Sequence, residues 1–103
     1  MAQHERWAVI SGDIEILRGL LTRKREIASD PVMAERRDLW TRHASLESDR
    51  PMILAETVGV LDEVIPVSRL TCQADWARTM ERGLRDLIFR YESVGDDIVV
   101  EPW

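Results

Sequence analysis

Apolar residues recur at three- and four-residue intervals through three long stretches of the chain, and each stretch predicts an amphipathic helix. In the first, Ile14, Leu17, Leu20, Leu21 and Ile27 form the apolar stripe and the Arg23–Lys24–Arg25–Glu26 run lies between its members. Ser11 is placed to cap this helix, and the basic run lies in its second half, where it complements the helix dipole. Asp30–Pro31 marks a boundary, because aspartate can cap the next helix and proline tolerates its first position. The second helix carries Val32, Met33, Leu39, Trp40, His43 and Leu46 on one broad face, and Arg50–Pro51 places the chain in an extended conformation after it. The third begins after Thr71 as the expected cap. Its stripe is Trp76, Ala77, Met80, Leu84, Leu87, Ile88 and Tyr91, with Arg78, Glu81, Arg82, Arg85 and Asp86 mainly off it. The predicted spans are Ile14–Ala28, Val32–Leu46 and Ala74–Glu92.

Two short runs break this pattern by not alternating. Met52–Ala55 follows a proline and stops at Glu56, and Ile98–Val100 follows Gly95–Asp96–Asp97 and stops at Glu101–Pro102. Their length and flanks favour strands buried on both faces, as in a parallel sheet, although periodicity alone also admits a helical turn. Leu61–Pro66 reads as a short helical turn stopped by its proline. Strand, long helix and strand in that order make a βα unit feeding a parallel neighbour, so the expected class is α/β. Two strands cannot cover both faces of such a sheet. Residues 1–50 form the expected N-terminal helical region and residues 51–103 the strand–helix–strand unit.

Length and composition narrow the functions. The chain has 103 residues, enough for one small core, with 45% hydrophobic and 32% charged residues and a formal net charge of −5. That acidity gives no electrostatic footprint for nucleic acid or an anionic membrane surface. No apolar stretch reaches the roughly 20 residues of a membrane-spanning helix, and the N-terminus lacks a basic region followed by an apolar one. The expected compartment is the cytoplasm. Cys72 is the only cysteine, so neither a disulfide framework nor a cysteine-rich zinc site can form, and its expected role is that of a small buried hydrophobe.

Arg37–Trp40, Arg50–Leu54, Leu70–Cys72 with Glu81–Arg85, and Gly95–Trp103, in that order, resemble the N-terminal part of the uroporphyrinogen decarboxylase superfamily, in its decarboxylase-like and corrinoid methyltransferase-like branch. The resemblance implies a (β/α)₈ TIM barrel preceded by helices, of which this chain would supply three long helices and the first two strands. It places both apolar runs at the C-terminal face where such barrels carry their sites. Pro51 and Gly59 match the family's substrate-gripping motif, but Glu56 and Val60 stand where its two arginines would be. Glu101–Pro102 stands where its catalytic aspartate would end the second strand. Porphyrinogen decarboxylation is therefore not expected, because a carboxylate repels a polycarboxylate and valine offers no bidentate donor. The zinc ligands of the methyltransferase branch come late in the barrel, so zinc and a corrinoid partner are implied only for a completed protein and no metal site is expected here. His4 and His43 are isolated, and His43 is expected to be a partly buried structural histidine.

The candidate ligand-binding residues are Glu56 and Glu101, from their positions at the ends of the apolar runs; the bland alternative for each is a cap or a solvated acid. Trp40 and Trp76 are candidate interface residues, with core packing as the competing role; Trp7 and Trp103 complete a set of four tryptophans. Two functional readings follow. One is the non-catalytic N-terminal part of a decarboxylase- or methyltransferase-like barrel protein, which could become a lyase or methyltransferase only when completed. The other is an independent helical interaction or dimerisation module. Both expect self-association or cover by the remainder of the barrel, since uncovered apolar edges recruit other chains.

Overall fold

The computed structural model describes residues 9–47, 50–57 and 59–103. Helix α1 spans Ser11–Ala28, α2 Val32–Ala44, α3 Leu61–Val64 and α4 Asp75–Phe89. A 3₁₀ turn at Val67–Arg69 precedes α4, and α4 runs directly into a π-helical turn at Arg90–Val94. The three long helices therefore lie where the apolar periodicity predicts them. Among the described residues there is no strand, and the expected α/β class with two parallel barrel strands is corrected to an all-helical chain.

The reason lies in the aspartates that flank the second run. The two runs are neighbours, but one backbone hydrogen bond joins them among the described residues, from the Asp97 amide to the Ile53 carbonyl at 2.8 Å. The Ile53 amide instead donates to the Asp97 carboxylate at 2.8 Å, and the Ala55 amide to the Asp96 carboxylate at 2.8 Å. Side-chain acceptors thus take the donors that a ladder would use. Nor is the first run buried on both faces, since Ile53 is 60% and Leu54 50% exposed.

Packing divides into two clusters. Helix α1 lies along α4, and Leu17 meets Cys72, Ala74, Ala77 and Leu84 in the first cluster. The second joins Ile27, Met33 and Val100, with Leu87, Ile88, Tyr91 and Ile98 against it. The C-terminal run is thus held by helices and not by a sheet.

Several local expectations need correction. Ser11 lies inside α1, and the N-cap position is Ile10, without a side-chain cap. Thr71 does not cap α4, whose N-cap is Ala74. Asp30 does act as expected, accepting from the Val32 amide at 3.0 Å. Helix α2 ends at Ala44, short of Leu46, which is 94% exposed with φ 59°. His43 is exposed, not partly buried.

Gly95 ends the π turn with φ 67°, its amide donating to the Arg90 carbonyl at 2.8 Å. A Cβ there would meet nothing within 4 Å, so the penalty for Gly95→Ala is that of the left-handed backbone alone. The substitution is expected to cost about 1 kcal/mol, read as a lower urea midpoint with an unchanged slope.

Candidate functional site

Helix α2 and the two apolar runs enclose an open groove of about 470 Å³. Two side chains of α2 anchor it to the second run: Trp40 Nε1 donates to the Asp97 carbonyl at 2.7 Å and Arg36 Nη1 to the Ile98 carbonyl at 2.9 Å. This holds the Trp40 indole half-buried, edge-on to His43 with ring centroids 5.9 Å apart. Trp40, Leu54, Ile98 and Val99 supply the apolar lining, and Arg37 and Glu101 complete it as an ion pair at 3.2 Å.

Beside the groove, the adjacent carboxylates of Asp96 and Asp97 hold the first run. Asp97 accepts from both Arg50 Nη1 at 3.0 Å and Nη2 at 2.9 Å. The Arg50 guanidinium holds its carboxyl down at about 2, burial opposes this, and the Ile53 amide assists. Asp96 is 5% exposed and accepts from Arg90 Nη2 at 2.8 Å, the Ala55 amide at 2.8 Å and the Ile98 amide at 3.3 Å. Burial pushes its pKa up, but the Arg90, Ala55 and Ile98 hydrogen bonds outweigh it and leave it below the ordinary aspartate value. With the Ile53 and Ala55 amides both engaged on this side, alternation along the chain directs Leu54 to the other edge. Among the described residues, neither the amide nor the carbonyl of Leu54 or of Val99 has a hydrogen-bond partner.

A second pair of carboxylates clamps residues 71–74. Asp13 in the first turn of α1 is 1% exposed and accepts from the Gln73 amide at 2.8 Å and the Ala74 amide at 2.9 Å. Glu81 of α4 is 0% exposed; it accepts from the Thr71 and Cys72 amides, each at 2.9 Å, and from Arg85 Nε at 2.8 Å. Burial pushes the Glu81 pKa up, and the Cys72 and Thr71 amides, Arg85 and the Thr71 hydroxyl override it, holding it at about 2.

The structure brings Trp40 and Glu101 into one site and leaves the other two candidates outside it. Glu56 is exposed, with no hydrogen-bond partner among the described residues. Trp76 is half-buried against the first core cluster. His4 and Trp7 lie outside the described residues. The basic run of α1 is a solvated face in which Arg23 pairs with Glu26 at 3.2 Å and with Glu92 at 3.0 Å.

Among the described residues no group of three or more His, Cys, Asp or Glu could hold a metal ion. His43 lies beside Trp40, whereas Cys72 is in the core with its thiol pushed up to about 11, mainly by burial. No helix among the described residues is long and apolar enough to cross a membrane.

Arg36, Arg37, Asp96 and Asp97 carry no candidate role in the sequence pattern, although Gly95–Asp96–Asp97 marks a break between helix and apolar run. Glu81 did carry a signal: it stands four residues from Ala77 and from Arg85, at helical spacing with the buried stripe. Compared with protein-family models, curated proteins and solved structures, the chain matches none of them.

Proposed function

We propose that the chain is a homotypic interaction module in which two copies pack groove to groove. The observation that carries this is the apolar groove wall: Leu54, Ile98 and Val99 line it, and the backbone groups of Leu54 and of Val99 have no partner among the described residues. Buried backbone groups need partners, and an extended segment laid against such a wall supplies them together with apolar side chains. A second copy meets both needs with the same residues, as a two-fold interface requires. Charge supports the choice. Two chains of net charge −5 repel each other, but Ile53, Leu54, Ile98 and Val99 are uncharged and Arg37 and Glu101 neutralise one another at 3.2 Å, so like charges do not face at the contact.

The expected affinity is modest. Buried area does not convert directly into affinity, because association costs about 4–15 kcal/mol before any surplus appears. A groove-sized contact lies below the roughly 1,200–2,000 Å² of stable complexes, so a weak, transient dimer is expected. Sedimentation equilibrium up to about 200 µM should show dimers, and Leu54→Asp should weaken them at least about tenfold with unchanged helical circular dichroism. A wild type that stays monomeric throughout, or a dimer indifferent to Leu54→Asp, would sink the reading. A cytoplasmic setting is part of this proposal, on the sequence grounds given above.

A second reading keeps the resemblance to the uroporphyrinogen decarboxylase superfamily. It draws support from the apposition of the two apolar runs, of which Met52–Leu54 and Ile98–Val100 fall within the segments that carry that resemblance. In it the groove is covered by other parts of a larger decarboxylase-like or methyltransferase-like protein, to which catalysis, zinc and corrinoid would belong. A strictly monomeric chain whose apolar groove binds an apolar dye would favour it.

A further inference from the structure

Sharing no lining residue with the groove, a second cavity of about 240 Å³ is lined by Leu20 of α1, Arg69 of the 3₁₀ turn, Arg85, Ile88 and Phe89 of α4, and the π turn. Its two guanidiniums are incompletely used. Arg85 commits Nε to the buried Glu81 carboxylate at 2.8 Å, and among the described residues its two terminal nitrogens have no partner. Arg69 donates Nη1 to the Val64 carbonyl at 3.3 Å, a long bond, and the rest of its guanidinium is unengaged among the described residues. Leu20, Ile88 and Phe89 are apolar.

Charge selects the ligand's valence. Glu81 pairs with Arg85 at 2.8 Å, whereas Arg23 is shared between Glu92 at 3.0 Å and Glu26 at 3.2 Å. Arg69 is the lining cation with no ion pair among the described residues, which suits a monoanion; a dianion would be repelled by the Glu92 carboxylate on the same wall. A planar carboxylate matches the fork of a guanidinium better than a point anion does. Volume sets the rest. A cavity of about 150 Å³ takes benzene, so 240 Å³ accommodates a ring of that size with a carboxylate attached.

We propose that this cavity is a binding site for a small monocarboxylate with an apolar body about the size of a benzene ring. It is independent of the groove, and its test does not depend on the oligomeric state. Benzoate serves as the probe and benzamide as its uncharged counterpart, titrated into the full chain and followed by amide chemical shifts. Benzoate is expected to bind near 1 mM, about tenfold or more tighter than benzamide, with shifts centred on Leu20, Ile88 and Ser93. Arg69→Gln should remove that preference, and Arg69→Lys should restore part of it. Equal affinity for the two probes, shifts centred elsewhere, or a preference that survives Arg69→Gln would overturn the proposal. Should Arg69→Gln fail to fold, the benzoate-to-benzamide ratio and the location of the shifts in the wild type decide alone.

Discussion

Glu81→Ala is expected to lower stability by about 3–5 kcal/mol, a large part of the 5–15 kcal/mol available to a domain of this kind. The carboxylate is 0% exposed and has no water to replace its partners. Truncation strands the Thr71 and Cys72 amides and the Arg85 Nε at once, and each unsatisfied donor costs about 1–3 kcal/mol, more where it is charged. It also releases the segment that places Cys72 and Ala74 in the first core cluster. Glu81→Gln keeps the volume and one acceptor oxygen but turns an amide towards donors, so it should fall between wild type and alanine. The pH dependence follows from the direction of the shift. A pKa held at about 2 in the folded state against an ordinary 4.5 means that the carboxylate's contribution is fully present above pH 4.5. It is lost as pH falls from there towards 2. Urea denaturation at several pH values between neutrality and 2.5 reads this directly. Glu81→Gln should flatten the acid limb, and a variant whose acid limb matches wild type would show that other carboxylates carry it.

The helices were legible because their burial is periodic: Leu17, Ile27, Ala77 and Leu84 lie on the predicted stripes and are buried. What failed was the reading of short apolar runs. Four consecutive apolar residues look alike whether they form a buried strand or a segment pinned by side chains, and Asp96 and Asp97 decide between these through contacts more than forty residues away in sequence. The same distance hid Asp13, which precedes the predicted start of the first helix and reaches across to Gln73 and Ala74. The ligand-contact expectation for Glu56 and for Glu101 starts from strand ends, which are absent among the described residues; Glu101 lies at the groove with Trp40, and Glu56 lies exposed outside it.

The neighbouring carboxylates Asp96 and Asp97 should differ sharply when removed, and the difference identifies which one holds the groove. Asp97 meets Arg50 with two good bonds, but the Arg50 side chain is 43% exposed and can return to water. Asp97→Ala should therefore cost about 1–2 kcal/mol, chiefly for the stranded Ile53 amide. The Asp96 side chain is 1% exposed and its partner Arg90 15%, and Arg90 Nε is already buried without a hydrogen bond. Removing the carboxylate leaves that guanidinium buried and uncompensated and also frees the Ala55 and Ile98 amides. Asp96→Ala should cost about 3–5 kcal/mol. Asp96→Ala, Arg90→Leu should recover part of this, since an apolar pair of similar volume needs no counter-charge. Because Ala55 and Ile98 adjoin the groove-lining Leu54 and Val99, Asp96→Ala should also weaken dimerisation at temperatures where the helices remain folded. Equal losses from Asp96→Ala and Asp97→Ala in chemical denaturation, or a dimer unaffected by the first, would show that helix α2 alone holds the second run and that the first run is not part of the groove's fixed wall.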